Sequence, residues 1–85
     1  MHTMQEAVRR RILPLMAEKN YSISELARRS NLRQSTVNDI VKGKVKNPSM
    51  QAMLQIAKAF NLTLGEFTTH EVFLQIEDQP MKMNR

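Results

Sequence analysis

The sequence predicts an all-α fold: a compact bundle of four to five helices containing a helix-turn-helix, with a short C-terminal extension that has the pattern of a strand. Three observations predict it. Apolar residues recur at i, i+3 and i+4 in successive segments. Thr3 and Glu6, Ser22 and Glu25, and Thr63 and Glu66 each place a hydroxyl three residues before a carboxylate, the pattern of a reciprocal capping box at a helix start. Asn20, Asn31 and Asn61 each end an apolar-periodic segment and precede a large apolar residue, Tyr21, Leu32 and Leu62, as expected of left-handed caps after which the chain folds back. Asparagine is also common in loops, so each taken singly is ambiguous. At 85 residues the chain holds one domain at most, and its core must be economical.

The first helix is expected over roughly residues 4 to 19, with Val8, Ile12, Leu15 and Met16 on its inner side. Pro14 lacks the N–H that would bond the Arg10 carbonyl and pushes Leu13 away from helical angles, so a kink or break is expected there. A second helix begins near Ile23, capped by Ser22, with Leu26 and Ala27 inward; Ala27 is small enough for another helix to cross close by. Asn31 turns the chain into a third helix, where Val37, Ile40 and Val41 form an apolar stripe and Gln34, Ser35, Asn38 and Lys42 fall opposite it.

Gly43 to Pro48 (GKVKNP) reads as a basic loop. Ser49 caps a fourth helix whose stripe is Met50, Met53, Leu54, Ala57 and Phe60, and Thr63 opens a short fifth helix reaching Phe67 or slightly beyond. Residues 1–69 form the domain. In residues 70–80 the run HEVFLQIE alternates Val72, Leu74 and Ile76 against Phe73, Gln75 and Glu77. Two arrangements satisfy it: pairing with its copy in a second subunit, or packing of Phe73 and Leu74 onto the first and fifth helices. Residues 81–85 are expected to be a disordered tail.

Charge is concentrated. Residues 28–46 hold Arg28, Arg29, Arg33, Lys42, Lys44 and Lys46 against Asp39 alone, a local excess equal to the formal charge of +5 of the whole chain. Residues 62–85 are acidic on balance, with Glu66, Glu71, Glu77 and Asp78 against Lys82 and Arg85. A helix-turn-helix with polar amides on its outer face and cations around it suits double-stranded DNA.

Glutamine and asparagine can bind adenine bidentately and arginine binds guanine, so Gln34, Ser35 and Asn38 are the candidate base readers, with Arg33 and Thr36 beside them. The Thr36 methyl either meets a thymine or faces the turn. Candidate phosphate contacts are Ser22 and Ser24 at the start of the second helix, Lys42, Lys44, Lys46 and Asn47 around the basic loop, and Arg28 on the outer side of the second helix, where Arg29 also lies. Arg9, Arg10 and Arg11 span too wide an arc to face one duplex together, and most of that run is expected to be solvated or paired with Glu6.

Other chemistry finds little support. The chain has no cysteine, which excludes disulfides and thiolate metal sites, and His2 and His70 have no spaced companions, so no metal or cofactor is expected. Ser35 has no neighbouring histidine and the carboxylates are scattered, so no catalytic constellation forms and an enzyme is not expected. No apolar run approaches the ~20 residues needed to cross a bilayer and no signal peptide is visible, so the expected location is cytoplasmic, on the nucleoid, with no membrane partner.

From Leu15 to Phe67 the order of motifs resembles the Cro and lambda-repressor (XRE) helix-turn-helix family: SISELARRSNL, the Gly43-Lys44 pair, NPSMQAMLQIAKAF and LTLGEF follow the family pattern nearly in spacing. The resemblance implies a lambda-repressor-like bundle, its third helix in the major groove, Gln34, Ser35 and Asn38 at base-facing positions, and a homodimer on a roughly palindromic operator, most simply a repressor. Three departures stand out. Asn20, Asn31 and Asn61 replace usual glycines; Met16 and Val41 replace a paired arginine and glutamate; and Arg33 replaces a small capping residue, leaving the start of the third helix open to question and Arg33 free to reach DNA. An antitoxin that neutralises a toxin protein and autoregulates its operon fits the same pattern, with residues 72–76 as the docking element.

Overall fold

The computed structural model describes residues 3–69, and the helices found there are α1 (Met4–Lys19), α2 (Ile23–Ser30), α3 (Gln34–Val41), α4 (Met50–Ala59) and α5 (Leu64–Thr68). The expected strand in residues 70–80 and the tail at 81–85 lie outside the described residues, as do His2 and His70. The α2–α3 pair crosses closely; α4 packs on α2, α1 on α3 and α5 on α4. Phe67, Ile12, Leu26, Ile56, Val8 and Val37 are fully buried at the centre, so each helix contributes to one core.

Helix starts follow the capping chemistry of the sequence with one exception. At Thr3 and Thr63 both halves of the capping box form: the hydroxyl accepts from the backbone N–H of Glu6 or Glu66, and the carboxylate accepts from the threonine N–H. At Ser22 only the first half forms, with the Glu25 N–H donating to Ser22 Oγ at 3.0 Å. The Glu25 carboxylate instead accepts from Arg28 and Arg29, because two charge-assisted bonds outweigh one to a neutral N–H.

Helix ends repeat one device. Asn20, Asn31 and Asn61 have φ of 61°, 58° and 61°. The next residue donates back across the cap: Tyr21 to Met16 O, Leu32 to Ala27 O and Leu62 to Ala57 O, at 2.9 to 3.0 Å. This double turn satisfies carbonyls that the helix leaves open and seats Tyr21, Leu32 and Leu62 against the core. Gly43, φ 74°, ends α3 the same way, with the Lys44 N–H donating to Asp39 O at 2.8 Å.

Some expectations are corrected. Of the kink or break anticipated at Pro14, the break does not occur, since α1 runs through it; Arg10 and Pro14 are both on the exposed face, where water can serve the freed carbonyl. Met50, read as the first member of the α4 stripe, is 64% exposed. The buried face of α4 is rotated onto Ala52, Met53, Ile56, Ala57 and Ala59, with Leu54 half-buried. Glu6 pairs with no arginine among the described residues, since its carboxylate is committed to the cap. Met16 and Val41 are both buried in the common core, so packing occupies the positions of the family's polar pair.

Candidate nucleic-acid interface

The geometry of α3 follows from its own sequence. Val37, Ile40 and Val41 are 0%, 3% and 6% exposed and fix the helix against the core. Gln34 and Ser35 are consequently exposed on the other side, and Thr36 and Asn38 are half-exposed at its edge. Among the described residues neither the Gln34 nor the Asn38 side-chain amide is engaged in a hydrogen bond, so both keep a donor and an acceptor for an incoming ligand. Arg33 occupies the N-cap with an extended backbone, φ −68° and ψ 145°, and its side chain makes no capping bond. The question the sequence left at the start of α3 is thereby answered: the helix begins at Gln34 without a side-chain cap, and Arg33 is exposed.

The loop after α3 is held by alternation. Val45 packs against the core and Pro48 is buried, while Lys44, Lys46 and Asn47 point outward, and Lys42 is exposed at the C-cap of α3. None of these cations has an ion-pair partner among the described residues. Ser22 and Ser24 are exposed at the start of α2, where Ser22 Oγ is already occupied as a cap.

The arginines of α2 are less free than the sequence implied. Glu25 accepts from Arg29 and Arg28 together, and these hydrogen bonds, Arg29's first, hold its carboxyl below the usual glutamate range. Arg28 remains largely exposed but partly neutralised by Glu25. Arg29 also lies over the Tyr21 ring, 4.9 Å from its centroid, and Tyr21 stacks on Phe60 with centroids 5.7 Å apart. Arg29 is thus engaged by Glu25 of its own helix and by the Tyr21 ring, and it is Tyr21 that reaches the end of α4.

Two positioning residues have no signal in the sequence. Gln55 of α4 donates to the carbonyls of Ser30 and Asn31, at 2.7 and 3.3 Å, at the turn between α2 and α3. Arg11, from the run expected to be solvated, donates to Phe67 O and Glu66 O at 3.0 and 3.1 Å and covers the Phe67 ring, fastening α1 to the carbonyl end of α5. A glutamine or arginine that crosses to another helix looks the same in sequence as one in water.

A bundle whose second and third helices form a helix-turn-helix, with unengaged amides outward and cations in the following loop, defines the class of helix-turn-helix DNA-binding domains. The model of the Cro/C1-type HTH DNA-binding domain matches residues 11–72, and the chain belongs to that family. It binds DNA and acts in transcription regulation. A solved structure, prophage Lp1 protein 11, is similar in fold, with a TM-score of 0.74 at 24% identity, covering 89% of this chain and 100% of that one. No curated protein matches the sequence significantly. Among the described residues no helix is long and apolar enough to cross a membrane.

Proposed function

We propose that this protein is a transcriptional repressor that binds a roughly palindromic operator as a homodimer, with α3 of each subunit in successive major grooves about 34 Å apart. Gln34, Ser35 and Asn38, assisted by Arg33 and Thr36, read base edges. Ser22, Ser24, Arg28, Lys42, Lys44, Lys46 and Asn47 contact phosphates and set the register. Residues 70–80 are the dimerisation element, and the chain works on the nucleoid by binding and without catalysis.

One observation carries the reading: α3 buries its apolar stripe completely and leaves two unengaged amides facing outward next to a cationic loop. A core helix would have turned those amides to partners, and a helix serving only as a solvated cover would not need the cations of the adjoining loop to stand free.

The division of labour is testable by binding measurements on a preferred and a scrambled duplex. Gln34→Ala or Asn38→Ala removes a bidentate contact and lowers discrimination between the two duplexes by about 1 to 3 kcal/mol. Lys44→Ala or Lys46→Ala weakens both duplexes alike and lowers the salt slope by about one unit for each subunit bound. Equal losses on both duplexes for all four variants would overturn the assignment of roles. Sedimentation of the full chain with and without the duplex tests the dimer.

A further inference from the structure

Gly43 lies between Lys42 and Lys44 at the left-handed end of α3, and the side chain resting on it comes from α1. A Cβ built on Gly43 would stand 3.6 Å from Arg9 Cδ, ordinary van der Waals distance, so the aliphatic stem of Arg9 covers the turn. Arg9 is exposed. Among the described residues its guanidinium has no hydrogen-bond or ion-pair partner; the ion pairs found there all belong to Glu25 with Arg28 and Arg29, and Asp39, the acidic residue of α3, pairs with nothing.

From this juxtaposition we infer that Arg9 is a phosphate-contacting residue of the DNA interface, extending the cationic track of Lys42 and Lys44 from the α3–α4 loop onto α1. The inference rests on the reading of that loop as a phosphate contact. Three features fit the role. The stem is supported by the turn, so less side-chain freedom is lost when the head engages a phosphate. The head belongs to an arginine, whose planar fork matches phosphate oxygens. Arg10, one residue further on, is exposed as well, but nothing places it at the turn, and it is the natural control.

The competing role is structural: a cation near the carbonyl end of α3 stabilises that helix without touching DNA. The two roles differ in what they move. The test measures binding of the 85-residue chain to a short mixed-sequence DNA duplex by fluorescence anisotropy across a salt series, together with the thermal midpoint of each free protein. Arg9→Gln is expected to make the slope of log Kobs against log salt shallower by about 0.9 for each subunit bound, the counterion release of one phosphate per subunit, with the midpoint close to that of the parent. Arg9→Lys restores most of the slope, and Arg10→Gln leaves it unchanged.

A parent-like slope for Arg9→Gln, with or without a lower midpoint, overturns the inference when Lys44→Gln does shift the slope, and the loop assignment then stands without Arg9. If Lys44→Gln also leaves the slope untouched, the loop is not a phosphate contact, and both assignments fall together. An equal loss of slope in Arg10→Gln overturns it too, because the effect would then follow net charge rather than position.

Discussion

Gln55 Nε2 donates to the carbonyl oxygen of Ser30 at 2.7 Å, so α4 grips α2 at the last residue before the chain turns toward α3. The same amide reaches Asn31 O at 3.3 Å, and the Ser30 hydroxyl turns inward to Leu26 O at 2.7 Å. The turn between the two helices of the helix-turn-helix is therefore held partly from behind, by a helix that presents none of the candidate contacts.

Gln55→Ala leaves a partly buried carbonyl without its donor and is expected to lower stability by about 1 kcal/mol in urea unfolding. Gln55→Glu is expected to cost more, because a carboxylate would face two carbonyl oxygens at the negative end of α2. Equal stability of the glutamate variant and the parent would show that the bond contributes nothing.

Glu25 makes stability depend on pH in a definite direction. Its carboxyl is held below the usual range by hydrogen bonds from Arg29, then Arg28, so the folded protein binds a proton less readily than the unfolded chain. The contribution is fully present above the ordinary glutamate pKa and is lost as pH falls through the lower folded value. Chemical denaturation of the parent and of Glu25→Gln over that acid window should give curves that converge toward low pH. Parallel curves would remove Glu25 from the account.

Asn31 tests the left-handed cap at the turn. With φ of 58°, Asn31→Ala is expected to be about 1 kcal/mol less stable than Asn31→Gly, since a residue with an ordinary Cβ resists that region and glycine does not. Thermal unfolding of the two variants side by side measures the difference. An alanine variant as stable as the glycine one would mean the turn relaxes away from the observed geometry.

Arg11 is expected to matter more than either neighbour in the Arg9 to Arg11 run. Arg11→Ala removes two charged donors from the end of α5 and should cost about 1 to 2 kcal/mol in urea unfolding, whereas Arg10→Ala, exposed on the same helix, should stay within about 0.5 kcal/mol. Equal effects would place the α1–α5 fastening elsewhere, in the Phe67 packing alone.

Legibility in the sequence divides along a physical line. Helix starts and ends were readable because capping is local: Thr3, Ser22, Ser49, Thr63 and the three asparagines act within a few residues of themselves. The inward stripe of α3 was readable because Val37, Ile40 and Val41 leave one orientation that buries all three. What escaped depends on elements far apart in the chain. Gln55 meets Ser30, Arg11 meets Phe67 and Arg9 meets Gly43 only after the helices pack. Glu25 escaped for another reason: two outcomes were locally available for its carboxylate, and the stronger charge-assisted one displaced the return bond to the Ser22 N–H while the Ser22 cap itself formed.

The central claim is that the outward amides of α3 read sequence, and selection of binding sites from a random pool of duplex DNA tests it most directly. The parent is expected to yield a two-fold symmetric motif, and Asn38→Ala the same half-site spacing with base preference weakened at one position in each half. A motif unchanged by both Asn38→Ala and Gln34→Ala, or no motif at all from the parent, would contradict it.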